Sequence, residues 1–185
     1  MCTKVVKSIS NRYYDNAVLV AGLSKAYSSL LAFLTLPTRL KEALKVLAPP
    51  YLYSGPSPVA SLASTLAGLK VNRERGDRCR ADLWRKTARI LGTLRDLEIK
   101  TPNESGLPII EIPLSDHEEI DPAGRFLFEH GIYATMAAFP LVPKNEVGFR
   151  IQVTASNTDE EIDHLIEVLT NLRERFALQQ LTAPT

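Results

Sequence analysis

The chain has 185 residues, of which 45% are hydrophobic and 23% are charged, and its formal net charge is +1. This length and composition are typical of a globular protein with one ordinary domain, or with one domain and a smaller lobe. The nearly neutral charge argues against a dedicated nucleic-acid-binding protein, which normally has a strong basic excess. The longest apolar run, residues 30–36, is too short to span a bilayer. We therefore expect neither a nucleic-acid partner nor a membrane span.

The cysteines and histidines do not predict a metal site. Cys2 and Cys79 lie far apart and match no metal-ligand spacing, and the histidines are scattered singly along the chain. The sequence also contains no disulfide framework and no secretory signal. The expected compartment is therefore a reducing cytoplasm.

The first part of the chain contains two apolar runs that predict strands. Ala17–Val20 is compact and includes two β-branched valines, and residues 30–36 form the second run. Such runs are typical of strands that are buried on both faces of a parallel sheet. A doubly wound parallel sheet normally needs more than two core strands. We therefore expect the strands on either side of Ala17–Val20 to lie outside this sequence.

Prolines and glycines divide the helical patterns. Pro37 begins a helix that Pro49-Pro50 ends, and Pro58 begins a second helix that runs to about Glu74. Gly76-Asp77 is predicted to end this helix and to begin another one, capped by Asp77. The basic side chains of that further helix are Arg78, Arg80, Arg85, Lys86 and Arg89. We interpret them as a solvated helix face.

The remainder of the chain has the pattern of an α+β lobe. Asp121-Pro122 predicts a helix that Gly131 closes, and Thr158 with Glu161 forms a capping box that begins the last helix. The predicted strands are Pro108–Pro113, Ile132–Met136 and Gly148–Thr154. We therefore divide the chain near Gly76 into a first domain, residues 1–76, and a second domain, residues 77–185.

Three segments, LVAGLSKA, YLYSGPSP and GFRIQVTASNTDEEIDHLIEVL, carry a resemblance to a known family. In this order and spacing, from about Asp15 to Arg175, the sequence resembles the α-oxoamine synthases. These are pyridoxal-phosphate enzymes of the aspartate aminotransferase fold, and they include aminooxononanoate synthase, glycine C-acetyltransferase and serine palmitoyltransferase. The resemblance implies an α/β chain that is the C-terminal half of such an enzyme. Residues 1–76 would be the end of the large cofactor-binding domain, and residues 77–185 the small α+β C-terminal domain.

The same resemblance implies pyridoxal 5'-phosphate as the cofactor and Lys25 as its Schiff base lysine. This chemistry needs an amine, because an imine exchanges readily with the amine of the substrate. Ser24, beside it, is similar to a residue that bonds the cofactor phosphate or holds the lysine. Gly22 stands where the family commonly has a phosphate-binding threonine. In the second segment Ser54 remains, whereas Gly55 replaces a threonine that contacts the phosphate from the partner subunit. Backbone amides at glycines can still bind phosphate.

Arg150 is the candidate substrate-binding residue. In Gly148–Thr154 the apolar side chains alternate with polar ones, which puts Arg150 on the face opposite Phe149 and Ile151. By resemblance it matches the arginine that binds the substrate carboxylate, for which a planar guanidinium is well suited. Without the resemblance, a surface ion pair is the preferred interpretation. Ser156 replaces a histidine that many relatives have.

The resemblance implies that the complete enzyme condenses an amino acid with an acyl-CoA and releases carbon dioxide, as a homodimer with its active site at the interface. Two alternatives remain open at this point. The first is an aminotransferase, because the same lysine and arginine also serve transamination. The second is a non-catalytic remnant that acts as an interaction module. The family's aspartate, its ring-stacking residue and its glycine-rich turn cannot be located among Met1–Asn16.

Overall fold

The computed structural model of the chain describes residues 17–181. The segment Met1–Asn16, which includes Cys2, lies outside the described residues. The chain divides into two compact units, and the division lies between Arg75 and Gly76. The assignment of these units to a large and a small domain stays a prediction.

Strands and short helices make up the first unit, and a long helix begins there. Its elements are β1 (Leu19–Gly22), β2 (Ala32–Thr35), α1 (Thr38–Leu47), α2 (Pro49–Leu52) and the start of α3 (Val59–Asp96). The second unit contains the remainder of α3, a sheet and two further helices. Its elements are β3 (Ile109–Pro113), α4 (Ile120–Glu129), β4 (Thr135–Ala137), β5 (Gly148–Gln152) and α5 (Asp159–Arg175).

The two strands of the first unit form an antiparallel hairpin. Leu19 lies opposite Thr35, and Gly22 lies opposite Ala32. The prediction of parallel strands buried on both faces is wrong. A parallel pair needs a crossover of about a dozen residues or more, and the connection over residues 23–31 is shorter. All of β2 is exposed, because no further strand pairs with this hairpin in the described part of the chain.

The helices follow the prolines but not the predicted break at Gly76-Asp77. As predicted, α1 begins after Pro37, whose carbonyl accepts from Leu40 N at 2.9 Å, and it ends before Pro49. The prediction of two helices on either side of Gly76 is wrong, since α3 runs through this position without interruption. A glycine in a helix interior costs about 1 kcal/mol relative to alanine, which does not suffice to end a long helix. Asp77 pairs with Arg80 at 2.7 Å, one turn along the helix.

A three-stranded antiparallel sheet in the order β3-β5-β4 forms the centre of the second unit. One face of the sheet is apolar, because Ile112 lies opposite Phe149 and Ile110 lies opposite Ile151. This face packs in the hydrophobic core together with side chains from three helices. The core residues contributed by α3, α4 and α5 are Ile90, Leu94, Ala123, Phe126, Leu127, Ile162, Leu165, Val168, Leu169 and Leu172. The predicted alternation of Gly148–Thr154 is confirmed.

The predicted end of α4 at Gly131 and the predicted start of α5 are confirmed, whereas the predicted cap at Asp121 is wrong, because Asp121 lies inside the first turn of α4. Gly131 has a φ of +75° just beyond α4, a conformation that glycine adopts without a steric penalty. At the start of α5, Thr158 Oγ1 accepts a hydrogen bond from Glu161 N at 3.2 Å. The Glu161 carboxylate accepts one from Thr158 N at 3.1 Å, which completes the capping box.

The predicted solvated basic face of α3 is wrong for Lys86, whereas Arg85 and Arg89 stay exposed or partly exposed and form ion pairs. Lys86 is only 4% exposed, and its Nζ donates to Asp82, to Ala155 O at 3.2 Å and to Asn157 O at 2.5 Å. The guanidinium groups of its neighbours bind the acidic first turn of α5. These contacts join Arg85 to Asp159 at 2.8 Å, and Arg89 to Asp159 and Asp163. A helical charge pattern cannot reveal these contacts, because the partners are about 70 residues away in sequence.

Residues 17–181 contain neither a candidate membrane span nor a candidate metal site. None of the helices in this range has an apolar stretch long enough to cross a bilayer. Nor do histidine, cysteine and acidic side chains in this range gather into a group that could hold a metal ion. Cys79 is an exposed free thiol.

We expect Lys86→Met to destabilise the second unit by about 1–3 kcal/mol, because two backbone carbonyls and Asp82 lose a buried donor. Urea denaturation followed by circular dichroism measures the free energy of unfolding. The matched control is Lys70→Met, since Lys70 lies on the same helix and pairs with Glu74 only at 4.0 Å at the surface. We expect this control to change stability by less than about 0.5 kcal/mol. Equal losses in the two variants would contradict the anchoring role of Lys86.

We expect the stability of the second unit to fall as the pH drops below about 4. Hydrogen bonds lower the pKa of Asp82 (mainly from Lys86), of Asp159 (mainly from Arg85) and of Glu161 (mainly from Asn157). A carboxyl with a lower pKa in the folded state stabilises that state above its unfolded pKa. This contribution disappears as the pH falls through the folded value.

Asp159→Asn should therefore make the loss of stability with acid shallower, which thermal unfolding between pH 7 and pH 2 measures. Glu160→Gln is the control, since Glu160 lies in the same helical turn and forms no ion pair within the described residues. An unchanged pH profile in Asp159→Asn would contradict the expectation.

Candidate functional site

Lys25 lies in the loop that connects β1 to β2. The loop is closed at its base by Leu23 N, which donates to Leu31 O at 2.8 Å. Inside the loop, Tyr27 N donates to Leu23 O at 3.0 Å, so residues 23–27 form a tight turn. Both Ser24 and Lys25 are exposed in this turn. The structure therefore presents an amine and a hydroxyl side by side at one end of a hairpin.

The glycines predicted to lie near a cofactor phosphate have open surroundings. Gly22 is the last residue of β1, and a Cβ added there would meet nothing within 4 Å; the same holds for Gly55. Ser54 and Gly55 lie in the exposed connection between α2 and α3, in the same unit as Lys25. At both positions, where the resemblance implies a threonine, the glycine therefore leaves open space.

Arg150 lies in the middle of β5, in the second unit. Its neighbours Phe149 and Ile151 are 1% and 7% exposed, whereas Arg150 is exposed on the opposite face of the sheet. Across the strands it lies opposite Glu111 on one side and Thr135 on the other. No hydrogen bond or ion pair holds its guanidinium within the described residues. The interpretation of Arg150 as one partner of a surface ion pair therefore finds no support in this part of the chain.

A cavity of about 640 Å³ opens on the Arg150 face of the sheet. Charged side chains from four elements or loops line it, namely Lys100, Glu111, Glu146 and Arg150. Val142 and Ala137 contribute apolar surface, whereas the side chains of Ile112 and Phe149 are buried on the opposite face of the sheet. The sequence analysis missed Lys100 and Glu111, because strand register and loop packing decide which side chains meet Arg150.

The residues around Lys25 fit the aldehyde and phosphate ends of pyridoxal 5'-phosphate. An exposed primary amine can condense with an aldehyde, and the Ser24 hydroxyl beside it can donate to a phosphate oxygen. The open space at Gly22 lets an anion approach the backbone closely. The carboxylate that would contact the pyridine nitrogen is not identified among the residues of this loop.

Comparison with known proteins identifies the family of the chain. Residues 8–169 match the family model of aminotransferase class I and II. The chain is 30% identical over 159 residues to an 8-amino-7-oxononanoate synthase of Thermosipho melanesiensis, and the match covers 86% of this chain and 40% of that protein. The chain thus spans about 40% of the length of the curated relatives it matches.

Solved structures show the same fold. A serine palmitoyltransferase of Sphingomonas wittichii superposes with a TM-score of 0.75 at 23% identity, over 85% of this chain and 40% of that one. A further serine palmitoyltransferase structure, which contains PLP as an internal aldimine, superposes with a TM-score of 0.75 at 19% identity and with the same coverage. Pyridoxal 5'-phosphate is the cofactor of these relatives.

These matches confirm the resemblance seen in the three sequence segments. The described units have the fold of part of a pyridoxal-phosphate-dependent transferase, homologous to 8-amino-7-oxononanoate synthase and serine palmitoyltransferase. The chain belongs to the aminotransferase class I and II family.

Proposed function

We propose that this chain is part of a pyridoxal-phosphate-dependent transferase that condenses an amino acid with an acyl-CoA and releases carbon dioxide. The exposed amine of Lys25, beside Ser24 in a hairpin loop, carries the proposal, since it occurs in a chain of this family. The relatives' names support a condensing enzyme rather than an aminotransferase. Residues 1–76 would then belong to the large domain, and residues 77–185 would form the small domain.

Lys25 would hold the cofactor through its Nζ and release it to the amine of the substrate. Ser24 Oγ and the backbone at Gly22 would donate to the cofactor phosphate, and the backbone at Gly55, together with Ser54, would complete the phosphate site from the second subunit of the homodimer. When bound, pyridoxal 5'-phosphate supplies a ring that takes up the electron pair left on the α-carbon of an amino acid.

Arg150 would bind the carboxylate of the amino acid. Its guanidinium has no partner in the part of the chain that the structure describes, so it is free to make a charge-assisted, bidentate contact with a carboxylate. The cavity beside it combines charged and apolar lining, which suits a small polar substrate with an aliphatic part. The proposed enzyme acts as a homodimer in the cytoplasm, which the family resemblance and the cysteine pattern support.

We expect Lys25→Arg to abolish the attachment of pyridoxal 5'-phosphate at this position. In the wild-type chain the lysine amine condenses with the cofactor aldehyde with loss of water, and borohydride then adds hydride to the new carbon–nitrogen bond. Peptide mapping by mass spectrometry measures the resulting pyridoxyl group on each lysine. Lys45→Arg is the control, because Lys45 is an exposed lysine paired with Glu42 on α1 of the same unit.

A wild-type chain labelled no more at Lys25 than at Lys45 would contradict the proposed role of Lys25. Equal labelling is the result expected of a non-catalytic remnant, and that interpretation would then replace the proposal.

We expect Arg150→Gln to weaken amino-acid binding by about tenfold or more, because the substrate carboxylate loses a charge-assisted pair. Lys25-linked cofactor provides the absorbance signal, and titration with amino acids gives the dissociation constant. Arg150→Lys should recover part of the affinity, since it restores the charge without the planar fork. Arg78→Gln, an exposed arginine of α3, is the control and should leave the dissociation constant unchanged. Equal effects of Arg150→Gln and Arg78→Gln would contradict the role of Arg150.

A further inference from the structure

The loop that carries Lys25 contacts helix α3 of the same unit through the ring of Tyr27. Gly68 on α3 faces this ring so closely that a Cβ built there would lie 2.2 Å from Tyr27 Cδ1 and 3.0 Å from Tyr27 Cγ. Real Cβ atoms essentially never approach a carbon atom this closely. Tyr27 Cβ, whose position is fixed by the backbone of the loop, would lie only 3.2 Å from the added atom, so turning the ring alone leaves a tight contact. Only glycine at position 68 therefore lets the ring lie where it does.

A buried hydrogen bond makes a second contact between the same loop and α3. Ser29 Oγ donates to Ser61 O at 2.8 Å, and these residues are only 2% and 8% exposed. Ser29 Oγ also lies 3.4 Å from Leu31 N, whose residue closes the loop. The hydroxyl thus links the end of the loop to the first turns of α3, and a side chain that cannot form hydrogen bonds would lose this link.

Between these two contacts the backbone is strained. Ser28 has a φ of +47°, in the left-handed region that side chains other than glycine rarely adopt. Such a conformation persists where the surrounding contacts enforce it. Tyr27 and Ser29, the residues on either side of Ser28, make these contacts. The loop is therefore held in one shape by α3, and Lys25 lies two residues before the first contact.

We propose that α3 positions Lys25 for reaction through the Tyr27–Gly68 contact and the Ser29–Ser61 hydrogen bond. The inference rests on the proposed function of Lys25 and adds Tyr27, Ser29 and Gly68 as positioning residues. A lysine side chain has many rotamers, and a reacting group gains most when its backbone already lies in the reactive geometry. An exposed amine on an unanchored loop would lack this advantage.

The test compares Gly68→Ala with Gly92→Ala in the full chain. Both glycines lie in α3, and both substitutions raise helix propensity equally. They differ in their surroundings, because a Cβ at Gly92 meets nothing within 4 Å. A difference between the two variants therefore reports the contact with Tyr27 rather than the stability of the helix.

The first measurement needs no cofactor. Hydrogen exchange of the amides of Tyr27 and Ser29, both of which donate to Leu23 O, should be about tenfold faster in Gly68→Ala than in the wild type, because the loop opens more often. Gly92→Ala should leave these rates unchanged. Equal exchange in the two variants would overturn the anchoring of the loop, whatever the cofactor does.

The second measurement is the ratio of pyridoxyl attachment at Lys25 to attachment at Lys45, after incubation with pyridoxal 5'-phosphate and reduction. We expect this ratio to fall about tenfold in Gly68→Ala and to stay at the wild-type value in Gly92→Ala. If Gly68→Ala opens the loop but keeps the wild-type ratio, α3 holds the loop without positioning Lys25, and the inference is overturned. If the wild-type chain itself shows no preference for Lys25, the proposed function fails, and the positioning role fails with it.

Substitutions of Tyr27 complete the test. Tyr27→Phe keeps the contacting ring atoms and should keep the wild-type attachment ratio, whereas Tyr27→Ala should lower it about tenfold. In the Tyr27→Ala background, Gly68→Ala should have no further effect, since the ring with which its methyl group collides is absent. Additive effects of the two substitutions would show that they act separately, which would overturn the proposed contact.

Discussion

The closure of one short loop determines where the candidate reactive amine lies. The hydrogen bond from Leu23 N to Leu31 O joins the ends of β1 and β2. Because the connection is short, the strands run antiparallel, and Lys25 lies at the turn rather than along a strand. The exposure of its side chain and the neighbouring hydroxyl of Ser24 both follow from this geometry. The contacts of the loop with α3 then restrict its shape further.

A different constraint fixes Arg150 in the second unit. The apolar face of β5 packs in the core with the helices. Because successive side chains of a strand point to opposite faces, Arg150 lies on the other face. The arginine is therefore held by the burial of Phe149 and Ile151 and not by polar partners within residues 17–181. A guanidinium that has no partner among the described residues and stands on a strand is well suited to bind an anion, because the backbone is already ordered and no existing ion pair has to break.

Much of the local structure could be predicted from the sequence, because short-range rules govern it. Pro37 and Pro49 bound α1, and Thr158 with Glu161 begins α5 as a capping box. These features depend on residues within one helical turn. Gly76 shows the limit of such rules, since the modest cost of a helical glycine was outweighed and α3 continues through it. The charge pattern at Lys86 was likewise ambiguous, because its carbonyl partners come from a distant loop.

The sequence by itself determined the family, the candidate roles of Lys25 and Arg150, and the alternation that exposes the arginine. These conclusions rest on local patterns and on the order of three segments. Only the tertiary structure decided that the strands around Lys25 pair antiparallel, that Lys86 is buried and that Gly68 accommodates the ring of Tyr27. Each of these depends on atoms that are far apart along the chain, and local propensity contains no information about which distant groups will meet.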